Sequence, residues 1–175
     1  HECSSAASDV YKRQALMEQI IKERMAGTQN KINLAVLYFC YNREDHLRQS
    51  LPKIVEFKNE LPLFVFCDGP RKEDKKQTQK VRDYLTKTLL HSKNCKLIFR
   101  EKNLGLADNI ISGVNYVFSL GYDTVTVLED DCVPHSNYFD YMQCALRYYL
   151  NFENVMHISA FGMPFKNKPI KGTYI

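Results

Sequence analysis

Thr124-Val-Thr-Val-Leu128 is an apolar, β-branched run that leads straight into Glu129, Asp130 and Asp131, with Pro134 closing the segment. A continuous apolar run of this length reads as a buried strand of a parallel sheet rather than a half-exposed antiparallel one. Its C-terminal end then carries three carboxylates into the crevice where open α/β sheets collect ligands. Adjacent carboxylates repel one another, so their concentration at a strand end calls for a cation. Hard oxygen donors suit Mg²⁺ or Mn²⁺ rather than zinc or copper. An ion held by one or two carboxylates keeps positions open for nucleotide phosphates, which points to transfer of a group carried on a diphosphate. A helix N-terminus also favours acids, but Pro134 and Ser136 put the next helix too far downstream to account for Glu129. Alternation along an extended segment predicts that Glu129 and Asp131 share one direction and Asp130 takes the other.

The rest of the chain repeats the strand–helix rhythm. Leu16, Ile20, Ile21 and Met25 fall at helical spacing within residues 14–29. Residues 32–40 predict a first buried strand, and 44–57 a helix burying Leu47, Leu51, Ile54 and Val55, kinked or restarted at Pro52. A second strand is expected over 63–67, closed by Asp68-Gly69-Pro70. A charged surface helix follows over 71–90, with Val81, Tyr84, Leu85 and Leu89 on one face. Residues 96–100 predict a third strand and Asn103-Leu-Gly105 a turn. Leu106, Ile110, Val114, Val117 and Phe118 then mark the core stripe of a helix that Gly121 ends. After the fourth strand, Ser136 can cap a helix burying Phe139, Met142, Leu146 and Tyr149. Residues 155–160 read as one further strand. The fold class expected is α/β, a mostly parallel sheet flanked by helices on both faces.

At 175 residues the chain fits one domain with a real core. A net charge of +4 from scattered residues is too weak to argue for nucleic acid, though it suits a phosphorylated substrate or peripheral contact with an anionic membrane surface. No apolar stretch reaches the length of a membrane span. Six cysteines without CxxC or zinc-type spacing read as reduced thiols, which with the missing secretory signal predicts a cytoplasmic protein, at most at the inner face of the membrane. The chain begins with His1, and residues 3–14 resemble translated sequencing-adapter read-through. Residues 1–14 are therefore expected to be a non-native leader and 15–175 the domain proper. The stop at Ile175, after the loop-like stretch 162–169, predicts a domain truncated at its C-terminus.

Four predicted strand ends carry polar groups on one edge of the sheet: Tyr41-Asn42-Arg43, Asp68-Gly69, Arg100 with Asn103, and Glu129-Asp130-Asp131. Singly, each has a plain explanation. Asp-Gly is a common turn, a loop arginine is usually solvated, and Asn103 with Gly105 suits a left-handed turn. His135 is a loop histidine that could add a ligand, and His46, His91 and His157 have no evident partner. The shared edge is what gives the four clusters joint meaning.

In this order the clusters resemble the nucleotide-sugar domain of glycosyltransferases with the GT-A fold. The resemblance runs through Tyr41-Asn42-Arg43, Phe66-Cys-Asp-Gly69, the stretch from Arg100 to Asn109, and Leu128-Glu-Asp-Asp131. It is strongest to bacterial family-2-like sugar transferases, extends to N-acetylglucosaminyltransferase I with its own Glu-Asp-Asp motif, and covers about residues 32–164. The resemblance implies that Asp68 bonds the nucleotide base and that Tyr41, Asn42 and Arg43 line the base and ribose pocket. It further implies that Arg100 and Asn109 hold the nucleotide side of the donor and that Asp131 binds Mn²⁺ or Mg²⁺. Glu129 and Asp130 would reach the donor sugar, the ribose or metal-bound water. The implied donor is a nucleotide-diphosphate sugar, a UDP-sugar foremost, and the acceptor a glycan or lipid-linked hydroxyl, with inversion at the anomeric carbon. No acid follows Glu153, so the base that takes the acceptor proton is expected beyond Ile175. Two other readings are a sugar-1-phosphate nucleotidyltransferase, disfavoured by the glycine-free loop Cys40-Tyr-Asn-Arg-Glu44, and a non-catalytic nucleotide-sugar-binding module.

Overall fold

The computed structural model describes residues 32–58 and 60–160. The leader expected over 1–14, the helix expected over 14–29 and the loop-like stretch at 162–169 lie outside them. The chain divides into two compact units, Ile32–Phe139 on the one hand and His1–Lys31 with Asp140–Ile175 on the other.

In the first unit, β1 (Leu34–Cys40), β2 (Leu63–Cys67), β3 (Cys95–Phe99) and β4 (Thr124–Glu129) alternate with helices. The helices are α1 (Glu44–Phe57), α2 (Lys75–Leu89) and α3 (Leu106–Ser119), and α4 (Tyr138–Tyr149) starts at the unit's end. The strands form a four-stranded sheet in the order β3-β2-β1-β4, every neighbour parallel. β1 and β2 are buried along their whole length because they are central and covered on both sides. Val36, Tyr38 and Cys40 alternate with Ala35, Leu37 and Phe39, and the two sets enter different cores. The first joins Leu47, Leu51 and Ile54 of α1 with Val81, Leu85 and Leu89 of α2. The second joins Phe64, Phe66 and Val117, with Ile110 and Val114 of α3 packed against them. Helices on both faces, as expected from the sequence, leave the strand ends as the open rim.

Several elements differ from expectation. Val127 in β4 is exposed, because β4 is an edge strand among the described residues rather than a central one. α1 runs unbroken through Pro52, which only withholds an amide from the turn before it. α3 keeps the left-handed exit at Gly121 (φ 90°), but Leu106 and Phe118 are exposed. The contact is a narrow stripe centred on Gly113, where a Cβ would stand 2.7 Å from the Phe39 ring. Ser136 does not cap α4; its hydroxyl lies against the ring of its neighbour His135 at 3.4 Å. Phe139 and Met142 are buried, whereas Leu146 and Tyr149 are half-buried.

Residues 155–160 are not a strand. Met156 is 93% exposed there, and no ladder partner exists among the described residues, without which an apolar alternation cannot become sheet. No described helix is long and apolar enough to cross a membrane. Cys40, Cys67, Cys95, Cys132 and Cys144 are free thiols.

Candidate functional site

In the order β3-β2-β1-β4 the chain leaves β1 toward β2 and β3, then returns to the other side of β1 as β4. The switch point therefore lies between the C-terminal ends of β1 and β4, where such sheets open a crevice. Arg43 leaves the end of β1 and Asp130 and Asp131 leave the end of β4. They meet across this crevice. Arg43 donates to both oxygens of Asp130 through Nε and Nη2, and to Asp131 Oδ2 through Nη2 at 3.2 Å.

Asp130 is 3% exposed. Its backbone carbonyl accepts from Ser50 Oγ at 2.9 Å, and Ser50 shares a 2.6 Å bond with the buried Tyr38 hydroxyl. Burial pushes the Asp130 carboxyl up, and the pairing with Arg43 offsets this only in part. The same bond makes Arg43 hold its proton more tightly. Glu129 is also raised, first by burial and then by the charges of Asp131 and Asp130. One arginine thus faces three acids, and the excess negative charge is the main electrostatic fact of this rim.

The predicted alternation fails at this point. β4 ends at Glu129, and a turn closed by the Cys132 amide on the Glu129 carbonyl (3.0 Å) swings Asp130 and Asp131 to the same partner. Period-two geometry holds only while the chain is extended. His46, one turn into α1, completes the cluster. Its imidazole nitrogen and one oxygen each of Asp130 and Asp131 lie within 4.8 Å of one another. Two hard carboxylates and an imidazole, with surplus negative charge around them, fit a divalent cation. Of these three, the resemblance implies Asp131 as the metal ligand.

The other strand ends form a second network. Asp68, at the end of β2, is 5% exposed and accepts four hydrogen bonds. Its Oδ1 takes the amides of Gly69 (2.8 Å) and Leu104 (2.9 Å). Its Oδ2 takes the amide of Gly105 (3.0 Å) and Asn103 Nδ2 (3.2 Å). A carboxylate offers about four lone-pair positions, and these four donors fill them within the chain. Asp68 thereby shapes the 103–105 loop. Gly69 is required by the same approach, since a Cβ there would stand 2.2 Å from the Lys102 carbonyl carbon.

Arg100 bonds Asn109 Oδ1 at 3.2 Å and Ser112 Oγ at 2.9 Å while lying over the Phe66 ring, 5.3 Å from its centroid. Arg100 and Asn109 are thus brought together, with Asn109 buried. Tyr41 and Asn42 both donate to Asp74 Oδ2, at 2.6 and 3.3 Å. Arg71, whose amide also reaches Asp74 (2.9 Å), bonds Asn103 Oδ1 through Nε at 3.2 Å. The β1 end is in this way tied through Asp74 and Arg71 to the loop that Asp68 holds. An open depression of about 400 Å³ is lined by Asn42, Glu44, Asp45, Arg48, Gln77 and Lys80, and by none of Glu129, Asp130 and Asp131.

The family model for glycosyl transferase family 2 matches residues 36–147, a span that contains every strand end described above. The chain belongs to glycosyl transferase family 2. Among curated proteins none matches this family member. Among solved structures it is similar to the crystal structure of residues 1–349 of S. aureus TarS, at 14% identity and a TM-score of 0.50. That likeness covers 67% of this chain and 33% of the TarS chain, so the chain spans about a third of that structure's length. At this identity the likeness concerns the fold, which is the GT-A arrangement of a family-2-like domain.

Sequence reasoning missed three residues that build the site. His46 could have been noticed as the first-turn residue after the switch-point strand. Asp74 directly precedes α2, where an acid suggests a cap, but it makes no capping bond and serves Tyr41 and Asn42 instead. Arg82 sits on a helix read as solvated, yet it donates to the carbonyls of Asp68 (3.3 Å) and Arg100 (2.5 Å), tying the ends of β2 and β3. Nothing in its spacing marks it.

Proposed function

We propose that this family 2 domain binds a nucleotide-diphosphate sugar, a UDP-sugar foremost, and transfers the sugar to a hydroxyl of a glycan or lipid-linked acceptor. The observation that carries the reading is the convergence of Arg43, Asp130 and Asp131 at the β1/β4 switch point. A cleft with both a guanidinium and an acid cluster suits a ligand that is itself a diphosphate accompanied by a divalent cation.

Asp131, with Asp130 and His46, would hold that ion. Imidazole in the set leans toward Mn²⁺ over Mg²⁺, which prefers all-oxygen octahedra. When bound, such an ion supplies charge stabilisation to the leaving diphosphate. Glu129, half-buried beside the cluster, faces the sugar and ribose side. Tyr41 and Asn42, set by Asp74, form the wall toward base and ribose. Arg100 and Asn109 brace the nucleotide side, and Asp68 acts through the loop it holds. Orientation and the exclusion of water are what these residues contribute to in-line displacement with inversion. The base that takes the acceptor proton is not assigned to any of them.

Calorimetric titration of UDP tests this reading, with Mn²⁺ present and again with the metal chelated. Binding that needs Mn²⁺ is expected. Equal affinity in both conditions would contradict the reading.

A further inference from the structure

Resting on the donor-binding reading above, we propose that Arg43 is a built-in counter-cation for Asp130 and Asp131, displaced by the divalent ion and then turned toward the diphosphate. Ser50 holds the Asp130 backbone through its carbonyl, and the Asp130 side chain is buried. A carboxylate so buried needs a cationic partner whether or not a ligand is present. The chain supplies one in Arg43, whose guanidinium bonds these two acids alone among the described residues and whose side chain is 44% exposed. It sits in the turn between β1 and α1, so its side chain can leave without unpacking the core.

Arg43 now occupies three of the four carboxylate oxygens of the pair, both on Asp130 and Oδ2 on Asp131. Asp130 and Asp131 are also the acids that converge with His46. An ion joining this set therefore competes with the guanidinium for the same oxygens. With Arg43 in place the three acids keep an excess of two negative charges, counting His46 as neutral. A divalent ion instead lowers that excess to one and releases a guanidinium at the mouth of the crevice. A freed guanidinium matches phosphate oxygens in a two-pronged fork. Metal loading would in this way create the positive site that the diphosphate needs.

The exchange gives Arg43 opposite effects on the two ligands, which a merely structural ion pair would not produce. The test measures Mn²⁺ alone, by electron paramagnetic resonance of the free ion, and then UDP at saturating Mn²⁺, for the native chain and Arg43→Gln. The variant should bind Mn²⁺ about tenfold tighter and UDP about tenfold more weakly. Mn²⁺ affinity that is unchanged or reduced in a folded variant overturns the exchange while leaving the donor reading intact. A native chain that binds no Mn²⁺ overturns both. A second measurement needs no variant: the Arg43 Nε–H resonance of the ¹⁵N-labelled native chain should shift, and its proton exchange faster, on adding Mg²⁺. An unmoved resonance at saturating ion overturns the proposal.

Discussion

The carboxylate of Asp68 accepts the backbone amide of Gly105, 37 residues further along the chain, at 3.0 Å. The same side chain takes the amides of Gly69 and Leu104, so one acid fixes two loops at the rim of the sheet. Asp68→Asn turns one acceptor into a donor facing donors. It should cost about 1–3 kcal/mol, the penalty of buried polar groups left without partners. A urea midpoint equal to that of the native chain would rule this out.

Gly69 makes the complementary prediction. Any side chain there collides with the Lys102 carbonyl group and the Asn103 amide, both backbone, which cannot rotate away. Gly69→Ala should destabilise by at least about 1–3 kcal/mol, as overpacking does. At Gly113 the obstacle is the Phe39 ring, so Gly113→Ala should cost less than Gly69→Ala. Thermal unfolding of the two variants orders them, and the reverse order would contradict the geometry.

The parts of this fold legible in the sequence were those governed by periodicity. β1 and β2 show as continuous apolar runs because both faces meet helices, and the stripe of α2 shows as Val81, Leu85 and Leu89. The run at 124–128 looked equally buried, but its place at the edge depends on strand order, which no local pattern encodes. The stretch 155–160 had the composition of a strand without a neighbour to make it one. At the site, the clustering of Tyr41, Asn42, Arg43 and the acidic triplet on one rim was readable from strand ends alone. The pairing of Arg43 with Asp130 was not, because it depends on a turn that breaks the alternation after Glu129. Asp74, Arg82 and His46 act through contacts 14 to 85 positions distant, and single polar residues leave no periodic trace.

Tyr38 links the site to the core and gives a pH prediction. Its hydroxyl is buried against Ser50, and burial holds its pKa far above the ordinary value of 10.0. In the unfolded chain this tyrosine ionises near pH 10, whereas in the folded chain it stays protonated. The folded state therefore binds the extra proton, and stability is retained below pH 10 and declines as pH rises above it, by up to about 1.4 kcal/mol per unit. Tyr38→Phe should lose about 1 kcal/mol at neutral pH through the lost bond. Its stability should also fall less steeply above pH 10. Parallel alkaline limbs in urea unfolding would contradict this.

His46 is the residue least expected from sequence. With its imidazole converging on Asp130 and Asp131, His46→Ala should weaken Mn²⁺ binding by about tenfold, the scale of one lost ligand interaction, while leaving thermal stability without the ion nearly unchanged. Direct titration of Mn²⁺ settles it. Equal affinity in the two proteins would remove His46 from the ligand set.

The most direct measurement is the UDP affinity of Asp131→Asn, with and without Mn²⁺, beside the native chain. Asp131 is exposed and, among the described residues, its one ion pair is to Arg43, so the substitution should leave the fold intact. The account predicts that Mn²⁺ strengthens UDP binding in the native chain and no longer does so in the variant. A variant whose UDP affinity still rises with Mn²⁺ to the native level would contradict it.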